Sequence, residues 1–531
     1  MRVVTLFSST APRDVERRRA ITIDYNRIMQ RLQNRQGDGI GGSSLGFRPS
    51  PVVGSELVDD YRNVSWLFLR LLALIYLAAF ASLAVQITGL AGADGILPFH
   101  ERLQQAAQLP GWQRYWHYPT LFWFSSSDLM LQGVAYAGCL FSLTLLFNRM
   151  VRSSLILLFA CYLSLFHAGQ VFMNFQWDYL LLEAGFLAIF LPGGSRLVIW
   201  MFRWLLFRLR FLSGISKLVT QDPTWAGFTA LGYYFETQPL PHIGAWYAHQ
   251  LPEWVLRTGV GAVFFVELLV PFMMLLPRRF RLFGAGATVL MQILIILTSN
   301  HNFFNLLTIV LCLFLIDDRA LQSLLPARLH RGLEALIVPA VVPRSGIRQL
   351  IFRLAAAVIL VVSLFQVSGF FFRPTETYGL ARLQEVVRPF HIVNRYHVFP
   401  TVTTLRIELI VEGSRDGERW LPYEFRYKPG DPAVLTPVVI PHHPRLDWMI
   451  WFVPLGHPMN YHWFDRFLQR LHANSPAVTS LLGHNPFQDS PPKYLRVQAY
   501  RYRFVDPLER QAGDPWWQRE YQGPFFLAPR Q

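Results

Sequence analysis

Nine runs of apolar residues, most of them long enough to cross a bilayer, limit what this 531-residue chain can fold into. They lie near 66–88, 128–147, 153–173, 177–192, 197–213, 255–276, 282–299, 303–316 and 351–371. A helix needs about 20 residues to cross the hydrocarbon, where every backbone polar group must be satisfied internally. A mean hydropathy of +0.27 is too apolar for an ordinary soluble protein. The expected fold is therefore a polytopic α-helical membrane protein of about nine transmembrane helices, covering 63–372. The first strong run begins only near Trp66, so no cleavable signal peptide is expected.

The net charge of +15 would suit a nucleic-acid binder, but the charge forms no stripe on a soluble fold. Much of it sits between the apolar runs, where it sets orientation. With the N-terminus inside, the inner segments (1–64, 148–152, 193–196, 277–281 and 317–350) carry 21 Lys and Arg. The outer connectors (91–118, 214–254 and 300–302) carry 3. This asymmetry predicts a cytoplasmic N-terminus and, after nine crossings, a periplasmic or lumenal C-terminal domain. Contact with membrane lipid is implied and contact with nucleic acid is not.

Residues 1–62 read as a flexible basic cytoplasmic segment. Arg17-Arg18-Arg19 open a possible amphipathic helix reaching about Leu32, and Gly37–Gly54 has linker composition. Beyond 372 the pattern changes to alternation and turns. Thr404–Val411 and Trp420–Tyr427 read as a hairpin around Arg415-Asp416-Gly417. Tyr494–Phe504 is the clearest strand, and Tyr461–Leu471 has helical spacing. A soluble β-rich exterior domain is expected over 373–531.

Polar side chains at membrane depth are expensive and mark sites by default. Arg203, Arg208 and Arg210 interrupt the run 197–213, and a central arginine costs about 2.5–3.5 kcal/mol on insertion scales. Arg203 and Arg210 share a helix face, which would let them meet an acid inside the bundle. Glu267 needs a proton, a partner or a cavity; Arg203, Arg210 and His167 are the candidate partners.

The stretch 174–253 is unusually polar and aromatic for a connector, and it supplies most candidate site residues. They are Gln176, Trp177, Asp178, Glu183, Lys217, Asp222, Trp225, Glu236, Gln238, His249 and Gln250. Asp178 and Glu183 are five apart and point about 140° apart on a helix, which makes a poor acid–base pair. Asp178 is expected to cap the helix start. Lys217 is the sole Lys or Arg in the connector 214–254 and is expected to pair with Asp222, Glu236 or Glu253.

His242, His249 and His301 fit no standard zinc spacing. Cys139, Cys161 and Cys312 all lie in apolar runs with no CxxC pair, and read as buried small hydrophobes. No GxSxG, HExxH, phosphate-loop or GxGxxG motif is present. No metal, no cofactor and no catalytic residue is expected.

The motifs Asn174-Phe175-Gln176-Trp177-Asp178-Tyr179-Leu180-Leu181-Leu182-Glu183, Ser213-Gly214-Ile215-Ser216-Lys217-Leu218, Asp222-Pro223-Thr224-Trp225 and Phe235-Glu236-Thr237-Gln238-Pro239-Leu240-Pro241 resemble the lipase maturation factor family. So do Trp246–Pro252, Gly483-His484-Asn485-Pro486-Phe487, Pro491–Arg496 and Trp516-Trp517-Gln518-Arg519, so the resemblance runs over about 65–528. It implies a membrane-embedded, non-enzymatic factor that helps secreted lipases, or other secreted clients, fold and assemble. The connector and the C-terminal domain would face the client. Animal members reside in the ER membrane. The C-terminal Ala528-Pro529-Arg530-Gln531 carries no KDEL-type signal, so a bacterial inner membrane stands beside the ER as the expected location. The Ser-Lys-Leu…Asp-Pro-Thr-Trp pattern is also similar, more weakly, to the membrane domain of vitamin K-dependent carboxylases. That likeness implies the rival reading, a membrane enzyme using Lys217 on a quinone or lipid.

Overall fold

A computed structural model of the chain describes residues 61–193, 195–324, 346–371 and 378–526. The expected N-terminal amphipathic helix and linker lie outside the described residues. Among the described residues, six helical stretches are long and apolar enough to cross a membrane: Arg62–Ala84, Asp128–Leu146, Val151–Met173, Glu253–Met273, Arg278–Thr298 and Gly346–Ser368. They coincide with six of the nine apolar runs. The protein is a multi-pass integral membrane protein.

The other three runs are helical but less simple. Gln176–Ala188 has 13 residues, or about 20 Å, and falls short of the hydrocarbon thickness. Phe304–Leu311 continues only as a 3-10 turn to Leu315. Arg196–Val219 is long enough at 24 residues but carries four buried cations, Arg203, Arg208, Arg210 and Lys217. The helices of the bundle are α1 (Arg62–Ala84), α2 (Asp128–Leu146), α3 (Val151–Gly169), α4 (Gln176–Ala188), α5 (Arg196–Val219), α6 (Glu253–Phe264), α7 (Arg278–Thr298), α8 (Phe304–Leu311) and α9 (Gly346–Ser368).

Polar caps close the helix ends that lack intrahelical partners. The Asp318 carboxylate accepts Asn63 N and Val64 N, both at 2.9 Å, at the start of α1. Ser127 caps α2 through Met130 N, and Ser195 caps α5 through Leu197 N. At the other end of α2, Arg70 of α1 donates to Leu145 O and, at 2.8 Å, to Asn148 Oδ1. Small residues bring helices close, as is usual in membrane bundles. A Cβ at Gly138 of α2 would collide with the Phe80 ring, and one at Gly185 of α4 would collide with the Tyr76 hydroxyl.

The C-terminal region holds one antiparallel sheet of order β2-β1-β3-β4: β1 Arg406–Ser414, β2 Leu421–Pro422, β3 Tyr494–Phe504 and β4 Trp517–Pro524. The expected strand at 420–427 is cut to two residues. The carboxylate of Asp447 takes Tyr427 N at 2.7 Å, which removes that donor from the ladder, and Lys428 N at 3.0 Å. The long partner of β1 is instead β3, with Glu408 opposite Tyr500 and Arg406 opposite Tyr502. The sheet is small, so the β-rich expectation is met only in part. The expected helix is present as α10 (Pro458–His472), which buries Trp463, Phe464, Phe467 and Leu471. One hydrophobic core runs continuously from the helix bundle into the C-terminal region, joining Phe172 to Trp463 and Trp177 to Trp448.

Candidate functional site

The polar stretch 174–253 folds around four buried ionic clusters, each of which reaches into a distant part of the chain. The first forms where α3 gives way to a 3-10 turn and α4 begins. Asp178 does not cap α4. Its carboxylate points inward and receives both terminal nitrogens of Arg445, Nη2 at 2.8 Å and Nη1 at 3.0 Å. Tyr162 OH donates to the same carboxylate at 2.5 Å, and Arg445 Nη1 also donates to Phe172 O at 2.6 Å. Asp178 is wholly buried and Arg445 nearly so. Ionised groups out of water require this degree of pairing and hydrogen bonding. The helix-cap expectation fails because a bidentate guanidinium satisfies both carboxylate oxygens of this buried group, which the amides of a helix start would not.

Glu183 lies one turn further along α4. It pairs with Arg208 of α5 and accepts Tyr396 OH at 2.9 Å and Asn394 N at 3.2 Å. Arg208 also donates Nη1 to Asn394 O at 3.2 Å. Two elements of the bundle are thus pinned to the segment that precedes β1.

Lys217 stands near the end of α5. Its ammonium donates to Glu267 Oε2 at 2.7 Å, Val398 O at 2.8 Å and Ser213 O at 3.2 Å, so all three N–H donors are engaged. Arg210 approaches the other Glu267 oxygen at 3.3 Å, and Trp225 presents its ring 5.0 Å from Nζ. The expected pairing with Asp222, Glu236 or Glu253 is therefore replaced by Glu267. The π-turn Phe265–Leu269 that extends α6 carries Glu267, and Gly214 leaves room beside its Cβ. Of the three partners expected for Glu267, Arg210 is the one present. Arg203 donates to Phe314 O and Tyr61 OH, and His167 contacts Pro389 O.

The fourth cluster ties the connector to the sheet. Arg406 of β1 donates to the carbonyls of Glu236, Gln238 and Pro239 at 2.9, 2.5 and 3.1 Å. It also meets Glu408, which Lys428 holds from the other side. Glu236 accepts Phe504 N at 2.8 Å and lies 3.8 Å from His249 Nε2. Burial holds the His249 imidazole below its ordinary range, against the pull of Glu236. Gln250 and Trp246 both donate to Val505 O. Gln238 donates to Thr298 O at the end of α7. Asp222 caps the short helix Pro223–Ala226 and accepts Val402 N. Gln176, half-exposed, accepts His397 N at 3.2 Å.

Trp177, Asp178, Glu183, Lys217, Trp225 and Gln238 are therefore interior residues. Exposed large side chains of the connector 214–254 include residues absent from the candidate set: Tyr233, Ile243, Tyr247, Leu251 and Trp254, with Tyr247 64% and Trp254 71% exposed. The partners Arg445, Asn394, Tyr396 and Val398 are not among the sequence-derived candidates either. A lone arginine in Pro444-Arg445-Leu446-Asp447-Trp448 is the available signal. The three histidines do not converge on one site. His242 caps its own short helix, His249 faces Glu236, and His301 meets Tyr234 OH at 2.8 Å.

Comparison with known proteins matches residues 63–323 to the lipase maturation factor transmembrane domain and 392–527 to the lipase maturation factor C-terminal domain. The chain is 34% identical to lipase maturation factor 2 of Xenopus laevis, over 89% of this chain and 83% of that protein. It is 34% identical to the human lipase maturation factor 2, over 87% and 82% respectively. It is 32% identical to lipase maturation factor 1 of Mus musculus, over 92% of both chains. No solved structure matches. With both family domains present in order over most of its length, the chain belongs to the lipase maturation factor family.

Proposed function

We propose that this protein is a membrane-embedded maturation factor that assists the folding or assembly of secreted lipases or other secreted clients. One observation carries the reading. The charged candidates of the 174–253 stretch are committed to partners within the protein, whereas aromatic side chains of the same stretch stand exposed. Committed charges hold a shape, and exposed aromatics offer area for a partly folded client at low entropic cost. The names of the relatives support a lipase as client.

The reading is non-enzymatic. The saturated ammonium of Lys217 supports it, since a base needs an uncommitted lone pair. The membrane-enzyme alternative on a carboxylase-like scaffold is not favoured. The proposed topology has nine crossings, with α4, α5 and α8 completing the count and α5 crossing with Arg208, Arg210 and Lys217 paired to Glu183 and Glu267. The N-terminus lies in the cytoplasm and the C-terminal region in the ER lumen or the periplasm. The excess of Lys and Arg in the inner segments supports that orientation. The proposed domain limits are 1–62, 63–372 and 373–531.

The test is co-expression with a secreted lipase in cells lacking their own maturation factor, followed by assay of secreted activity and of lipase mass. The proposal expects restored specific activity and co-purification of lipase with the tagged protein. Recovery of a small-molecule product with no effect on the lipase would reverse it.

A further inference from the structure

The helices gather an unusual number of guanidiniums at one end of the bundle. A cavity of about 420 Å³ is lined there by Arg196, Arg203, Arg278, Arg281 and Arg319, with Asp317 the one acid among its described walls. Arg196 and Arg278 open α5 and α7, Asp317 and Arg319 follow the turn after α8, and Tyr61 precedes α1. Among the described walls, five cations face one carboxylate beside a low-dielectric bundle. An anion seated between them would offset their mutual repulsion.

The hydrogen bonds show how the one carboxylate is shared. Asp317 takes Arg278 Nε at 2.7 Å and Nη2 at 3.2 Å, receives Ala320 N at 2.8 Å, and lies 3.6 Å from Arg281. Arg281 turns its Nε to Leu315 O at 2.7 Å. Arg203 is only 6% exposed. It spends Nε on Phe314 O at 2.9 Å and Nη2 on Tyr61 OH at 2.5 Å, which leaves Nη1 uncommitted. The rings of Tyr61 and Trp200 flank its guanidinium at 5.3 and 5.1 Å and hold it in place. Arg196 and Arg319 stand exposed at the rim. Planar donor forks at differing angles around one concavity suit the tetrahedral oxygens of a phosphate, which single ammonium groups would meet only as point charges.

The cavity also has depth. Arg203 lies seven residues into α5 from Arg196, about 10 Å along the axis. The wall between them carries buried Ile199 and half-exposed Trp200. A phosphate drawn to Arg203 would sit below the end of the bundle, with an apolar tail able to follow Trp200. Basic pockets between transmembrane helices are a recurring way to hold anionic lipid headgroups.

We propose that this arginine-lined cavity binds a phosphate group, the headgroup of an anionic phospholipid or a soluble phosphate, as a site separate from any client surface. The test uses the purified full chain in a neutral maltoside detergent. Binding is followed by native mass spectrometry and by the shift in unfolding temperature. The three probes are dioctanoyl phosphatidic acid, inorganic phosphate and dioctanoyl phosphatidylcholine. Saturable stabilisation by phosphatidic acid, at least about ten-fold tighter than by the other two, supports a headgroup site. Equal binding of inorganic phosphate supports the same anion site with a soluble source. The exposed pair Arg196→Gln with Arg319→Gln should weaken binding about ten-fold or more without loss of folding, since each change removes a charge-assisted contact. Arg257→Gln, a surface cation of α6 outside the cavity, should change nothing. The proposal is overturned if phosphatidylcholine binds as tightly as the anions, if the Arg196/Arg319 variant binds normally, or if Arg257→Gln weakens binding equally.

Discussion

Arg445 grips Asp178 across 267 residues of sequence, with two nitrogens on two oxygens and no solvent at either partner. The contact fastens the C-terminal region to the α3–α4 corner of the helix bundle. Removing one member of a buried pair leaves an unpaired interior charge and costs about 3–5 kcal/mol. Arg445→Met and Asp178→Asn should each lower the unfolding temperature and expose the C-terminal region to protease. The double variant should recover part of the loss, because it leaves no orphaned charge. Additive losses in the double variant, measured by thermal unfolding in detergent, would show that the two residues act independently.

Lys217, Arg210 and Glu267 make a triad of two cations and one anion, and the count predicts an order of damage. Lys217→Met leaves Arg210 paired with Glu267. Glu267→Gln strands two buried cations. The Glu267 variant should therefore be the less stable by about 1–3 kcal/mol, and the Lys217 variant should keep most of its client activity in proportion to the folded protein. A Lys217→Met protein of normal stability with no activity would instead point to chemistry at the ammonium.

These clusters show what a sequence can and cannot reveal. The apolar runs behind α1, α2, α3, α6, α7 and α9 are plain, because a bilayer imposes length and composition on each helix alone. Arg210 meeting Glu267 is also legible, since few acids are available at that depth. The partner of Lys217 is not. Glu267 lies 50 residues away behind a π-turn, and no local pattern announces it. Asp178 has the look of a cap because position three of a helix favours an acid, yet a tertiary contact with Arg445 outweighs that preference. The β1–β3 pairing is hidden for the same reason. The hairpin signal at 415–417 is real, but Asp447 takes the Tyr427 donor that the full expected strand would need.

The C-terminal region should weaken in acid. Burial pushes His391 and His442 down to about 4 from their ordinary 6.5, with nearby cationic groups adding to the effect, and holds His443 well below its usual range beside Arg445. Between pH 6.5 and about 4 the unfolded chain takes up these protons and the folded chain does not, so stability falls as pH falls through that window. Asp447 acts in the opposite sense. Burial raises it from 3.8 to about 6, so folding gains stability as pH falls through that range. Three histidines outweigh one carboxyl, and the net expectation is loss. Limited proteolysis at pH 7.5 and pH 5.0 should show faster cleavage of the C-terminal region at the lower pH. His442→Asn should reduce the difference.

Tyr247 and Trp254 test the client surface directly. Both stand exposed on the connector 214–254, whose interior the ionic clusters hold in place. Neither side chain makes a hydrogen bond to another described residue, although Tyr247 packs edge-on against Trp246. Their replacement should therefore leave stability within about 0.5 kcal/mol, as for surface positions generally. Central aromatics of an interface commonly cost about 2 kcal/mol or more when truncated, roughly thirty-fold in affinity. Tyr247→Ser with Trp254→Ser should thus reduce both lipase co-purification and secreted lipase activity severalfold at unchanged abundance of the factor. Aromatics that merely anchor the chain at the membrane interface predict the reverse, normal lipase activity with altered membrane insertion. Measuring lipase activity and insertion on the same variant separates the two outcomes.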